Sequence, residues 1–188
     1  MKKRLLILTI AFMLIFLSAC SKHNDEAPSE DISESVNQII DNQRIVFIMS
    51  VSSYDEPYME GYFIDTEGRK HCYRFMDRRP FDLIDQEYEF LIEHYEEFET
   101  SEFFSEDELR ESIECLCLVN SEANRIKEGD MIFDYPYHAL YGIRQKDGKE
   151  EIVWLRSFTG IDESLDDPYA NSIYEMFGDS WDYLDFEH

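Results

Sequence analysis

The strongest constraint on this chain is the run Arg44 to Val51, RIVFIMSV. It is continuous, apolar and rich in β-branched residues, which predicts a strand at the centre of a sheet. Tyr54-Asp55-Glu56-Pro57 breaks the run. Tyr58 to Asp65 reads as a second strand, and Thr66-Glu67-Gly68 turns it into a third, Arg69 to Met76. The three form an antiparallel meander.

A helix is expected next, from Phe81 to Phe98. Phe81, Ile84, Tyr88, Leu91, Tyr95 and Phe98 recur at steps of three and four, one apolar stripe on a helix. Ser105 and Glu108 form a capping-box pattern ahead of Leu109, Ile113, Leu116 and Cys117, so a second helix follows. Lys127-Glu128-Gly129-Asp130 reads as a turn and Met131 to Phe133 as a short strand. Tyr137 to Gln145 and Glu151 to Phe158 flank Lys146-Asp147-Gly148-Lys149, whose Asp-Gly pair is a hairpin signal. A short helix near Tyr169 to Phe177 closes the pattern. This order argues for an α+β domain: an antiparallel sheet, made of a three-strand meander and a C-terminal hairpin, with two acidic amphipathic helices between them and a short C-terminal helix, the helices lying on one face. At 188 residues the chain has room for one domain with a tail.

Charge narrows the function. There are 17 Lys and Arg against 42 Asp and Glu, a net charge of -25, which argues against nucleic acid because such binding needs a basic face. A hydrophobic content of 44% is too rich for a disordered acidic chain. From Phe81 to Glu114 there are fourteen acidic residues and one basic residue, Arg110. From Ser157 to the end there are nine acidic residues and no Lys or Arg. Basic residues gather instead in Arg69, Lys70, Arg74, Arg78 and Arg79, and in Arg144, Lys146, Lys149 and Arg156. One account is solubility, with acidic helix faces in water and basic strand residues guarding edges. The other is a cationic partner steered onto the helical layer.

The first residues carry an address. Lys2, Lys3 and Arg4 precede an apolar run from Leu5 to Leu17, thirteen residues, in the layout of a secretory signal and short of a bilayer span. The end of that run, Leu17-Ser18-Ala19-Cys20, resembles the lipobox of bacterial lipoproteins. The resemblance implies removal of residues 1–19, lipid on Cys20, and an extracytoplasmic protein held in the cell membrane. The remaining chain would carry 14 basic and 42 acidic residues, a net charge of −28. Residues 20–35 read as lipidated Cys and a flexible acidic, Pro28-containing tether, and residues 36–188 as the single α+β globular domain. An anionic body is repelled by anionic lipid, so the acyl chains must do the anchoring.

Candidate sites are sparse. Without Cys20, three cysteines remain. Cys72 falls on a strand and Cys115 and Cys117 near a helix end, which allows a strand-to-helix disulfide closing about 45 residues; three buried free thiols are the alternative. A metal site from His71, Cys72, Cys115 and Cys117 lacks the two-residue cysteine spacing of zinc sites. Asp162-x-Ser164-x-Asp166 begins like a calcium loop, but Asp167 stands where Gly is required and Ile173 where Glu is required. No metal site and no cofactor is therefore expected. No nucleophile, zinc-protease or nucleotide motif is present, and His23, His71, His94, His138 and His188 have no recognisable catalytic partner. With 42 acids a suitable carboxylate pair always exists, so pairing carries no information. Tyr54, Tyr58, Tyr135, Tyr137, Tyr141, Trp181 and Tyr183 lie near turns or strand edges, either as contact surface or as sheet cover. The expectation is a non-enzymatic binding or interaction domain with a cationic or protein partner in the cell envelope. Ligand or cation binding in a pocket comes second, and a carboxylate hydrolase third.

Overall fold

The computed structural model describes residues 30–52, 59–75, 83–129, 137–159 and 161–178. In chain order the elements are α1 (Glu30–Asn42), β1 (Ile45–Ser52), β2 (Met59–Asp65), β3 (Arg69–Phe75), α2 (Ile84–Glu93), a 3-10 turn (Tyr95–Glu97), β4 (Thr100–Glu102), α3 (Glu106–Leu118), β5 (Arg125–Glu128), β6 (Tyr137–Lys146), β7 (Lys149–Phe158), β8 (Asp162–Leu165) and α4 (Pro168–Phe177). The fold is α+β. Among the described residues eight strands form one sheet in the order β4-β3-β2-β1-β6-β7-β8-β5, and each neighbouring pair is antiparallel. The expected meander is β1–β3 and the expected hairpin is β6–β7. Asp147 and Gly148 take the positive φ values of 52° and 72° that a tight hairpin turn demands.

β1 and β2 are buried along their whole length, which requires cover on both faces of the sheet. This corrects the expectation that the helices share one face. Val36 and Ile39 of α1, Leu109, Ile113 and Leu116 of α3, and Ile173 and Phe177 of α4 pack on Val46, Phe47, Met49, Tyr62 and Leu140. On the other face Tyr88 and Leu91 of α2 cover Ile45, Ile48, Phe63, Tyr73 and Ile143. Two cores thus lie back to back across one sheet.

Three other expectations change. α1 starts at Glu30, inside the stretch read as tether, because Ile32, Val36, Ile39 and Ile40 form an apolar stripe that docks on the core. The helix predicted to reach Phe98 ends at Glu93, where the chain turns to bring Tyr95 onto the sheet. Lys127 and Glu128, expected in a turn, belong to edge strand β5. Met131 to Phe133 lie outside the described residues, as do Cys20, Tyr54, Tyr58, Tyr135, Trp181 and Tyr183. Among the described residues no helix is long and apolar enough to cross a membrane.

Candidate functional site

A densely bonded region lies where the β2–β3 turn meets the segment from Tyr95 to Glu108. Asp65 ends β2 with a side chain only 1% exposed. Its Oδ1 accepts from the backbone N–H of Glu67 (2.8 Å) and of Arg69 (2.9 Å), which folds the turn around it. Its Oδ2 accepts from Arg69 Nε (2.8 Å) and from the Tyr95 hydroxyl (2.7 Å). His71 Nε2 stands 2.8 Å from the same oxygen. An ionised carboxylate only accepts, so this nitrogen carries the proton. Burial pushes the Asp65 carboxyl up, but these donors outweigh it and hold it at about 2. Burial and then Asp65 push the Tyr95 phenol up to about 12, so it stays a donor.

The His71 ring stacks on Phe63 at 4.4 Å and lies 4.7 Å from the Tyr95 ring. Arg44 lies over the Tyr95 ring, 5.3 Å from its centre, and reaches Glu96 at 3.8 Å. The 3-10 turn is thus tied to the sheet by the Tyr95 phenol and, beside it, by Arg44. Beyond it, Thr100 to Glu102 pair with His71 to Arg69. The N–H groups of Phe103 (3.2 Å) and Phe104 (2.9 Å) both donate to the Gly68 carbonyl. Gly68 has φ 77°, and a Cβ there would stand 2.5 Å from the Phe104 carbonyl, so the close approach needs glycine. Ser105 then caps α3, receiving the Glu108 N–H while Glu108 receives the Ser105 N–H. The Ser105 hydroxyl and N–H also hold the Glu108 carboxyl below its ordinary value.

This fastening fixes a band of charge at one edge of the sheet. Eight of the sixteen residues from Glu96 to Glu111 are exposed acids. The one cation among them, Arg110, is half-buried and bonded to Asn37 on α1. The second half of the acidic Phe81 to Glu114 stretch thus forms an edge, with β4 at its centre.

Other predicted site residues are not brought together. The three cysteines are unpaired. Cys72 is exposed on β3, whereas α3 carries Cys115 and Cys117 and its last turn packs Leu116 on Gly142 of β6. Three strand steps separate β3 from β6, about 14 Å, beyond the reach of a disulfide. His71 is buried and Cys72, next along the strand, is exposed, which dissolves the imagined metal set. Asp162 and Ser164 lie in extended strand β8, and Asp162 is taken by Arg156. Among the described residues no cluster of His, Cys, Asp or Glu is placed to hold a metal. His94 sits at the end of α2, stacked on Phe90 and 2.9 Å from Glu97. Tyr137 and Tyr141 are half-buried on β6.

A cleft of about 240 Å³ lies between α1, α3 and β6, lined by Ser35, Cys117, Val119, Arg144, Gln145 and Lys146. Arg144 is committed to Glu151 (2.7 Å), to the Leu116 and Val119 carbonyls (3.1 and 2.7 Å) and to Ser121 (3.3 Å). It closes the C-terminus of α3, a structural duty. A second buried carboxylate, Glu87 of α2, accepts from Ser50 (3.1 Å) and Tyr73 and ties α2 to the sheet.

The charge of the edge was legible in the sequence; its fastening was not. Asp65 before Glu67-Gly68 is a turn signal, but nothing local reveals that Tyr95, thirty residues on, closes over it. The chain matches no protein-family model, no curated protein and no solved structure.

Proposed function

We propose that this chain is a lipid-anchored extracytoplasmic lipoprotein, held in the cell membrane through Cys20, whose domain docks a cationic protein partner on the acidic edge around β4. The observation that carries the reading is the fixed band of carboxylates from Glu96 to Glu111. A solubilising surface needs charge but no fixed geometry. Here Asp65, Tyr95, Gly68 and Ser105 hold the band in place, so little ordering cost remains when a partner arrives. The field of an acidic edge speeds encounter with a basic partner and weakens with salt. The lipobox resemblance at Leu17 to Cys20 supports the anchor.

Crosslinking and pull-down from the native envelope tests this, with Cys20→Ala as the unanchored control. The expected result is one enriched basic protein, lost on Glu99→Gln/Glu102→Gln/Glu106→Gln substitution. Equal capture by the substituted protein would overturn the docking edge. Mass spectrometry that finds Cys20 unacylated in the membrane fraction would overturn the anchor.

A further inference from the structure

We infer that β4 is an acceptor edge, to which an extended segment bearing lysine or arginine adds as a further strand. The inference rests on the acidic-edge reading and specifies how the partner is held. β4 ends the strand order, and among the described residues it pairs only with β3. All three of its residues are exposed.

The backbone polarity of this edge can be assigned. Antiparallel strands direct successive N–H and C=O pairs to alternate sides. The Phe103 N–H donates to Gly68, which continues the β3–β4 register by one residue. The Ser101 groups therefore face β3, and those of Thr100 and Glu102 face outward. Two residues thus offer an N–H and a C=O each to an incoming strand, the groups that give strand addition its affinity.

Charge selects the occupant. Glu99 and Glu102 flank these groups and are exposed. Arg69, directly opposite Glu102, is already bonded to Asp65 and Glu67. A net charge of -25 makes copies of this chain repel one another, and carboxylates on an edge deter self-pairing. A basic segment is attracted by the same groups. The opposite edge, β5, differs: Lys127 is bonded to Glu163 and Arg125 lies 4.2 Å over the Trp154 ring, so it presents no field of one sign.

The probe is a synthetic peptide of alternating lysine and valine, titrated against the full chain at low salt, with amide exchange followed by NMR. The expected result is binding that slows exchange of the Thr100 and Glu102 N–H groups at least tenfold. Thr100→Pro removes an outward donor without changing charge, a substitution that edge strands accept, and should weaken binding at least tenfold; Thr100→Val should bind as the parent does. Binding through Thr100→Pro at parent affinity, or unchanged Thr100 and Glu102 exchange in the unsubstituted complex, overturns strand addition and leaves the acidic-edge reading standing. Unchanged affinity in Glu99→Gln/Glu102→Gln, or no binding at all, overturns both.

Discussion

Asp65 gathers five donors on two oxygens, so this side chain decides whether the acidic edge has a shape. Its carboxyl, held at about 2, lies below the ordinary value of 3.8. The stabilisation is therefore complete above about pH 4 and is lost as pH falls through about 2. Denaturant unfolding of the protein and of Asp65→Asn should differ by about 3 kcal/mol at pH 6. The gap should shrink by about 1–2 kcal/mol by pH 2; a gap independent of pH would remove Asp65 as the ionised keystone. Tyr95→Phe keeps the ring against His71 and loses the hydroxyl, for about 1 kcal/mol. The thiols give a second test at this scale. Burial, with Glu111 and Glu114, pushes Cys115 up to about 11; burial likewise raises Cys117 to about 11 despite Arg144. Iodoacetamide at pH 8 should modify exposed Cys72 at least tenfold faster than either, and reductant should leave the intact mass unchanged.

At the scale of elements, two glycines separate what can yield from what cannot. A Cβ on Gly61 would stand 2.1 Å from the Met49 carbonyl, which is backbone of the central strand. A Cβ on Gly142 would meet Leu116 Cδ1 at 2.4 Å, the tip of a side chain that can turn. Gly61→Ala should cost about 3 kcal/mol and Gly142→Ala about 1 kcal/mol; thermal midpoints in the reverse order would refute this packing. Helix caps rank in the same way. Asp167 accepts from Tyr169 and Ala170 at the start of α4 and from Asn120 after α3. Asp167→Ala should therefore cost about 2 kcal/mol against about 1 for Ser105→Ala. The elements legible in the sequence are those with a long pattern or local chemistry: β1, β2, β3, β6, β7, the helices α2, α3 and α4, the Ser105 cap and the Asp147-Gly148 turn. β4, β5 and β8 are three or four residues long, too short to show alternation, and exist because a longer strand lies beside them. α1 was missed: the polar residues around Ile32, Val36, Ile39 and Ile40 hid the stripe, and its first turns were read as tether.

For the whole molecule, a net charge of -25 sets two responses to salt that run in opposite directions. Self-repulsion opposes the compact state, so the thermal midpoint should rise as sodium chloride goes from 10 to 300 mM, while affinity for a basic peptide falls. A midpoint that fell over the same range would show that attractive pairs outweigh the repulsion. The strand order has its own consequence. Residues 45–102 supply β4-β3-β2-β1 and residues 125–165 supply β6-β7-β8-β5, so each half-sheet is built almost from neighbours in the chain. They meet along one seam, where Met49 pairs with Leu140. Local meanders form early and the distant closure late, so the slow event in folding should be the docking of two preformed halves. A chain emerging from its N-terminus would carry β1 with one side bare until β6 arrives. The wait at that seam sets how long the protein is exposed to aggregation.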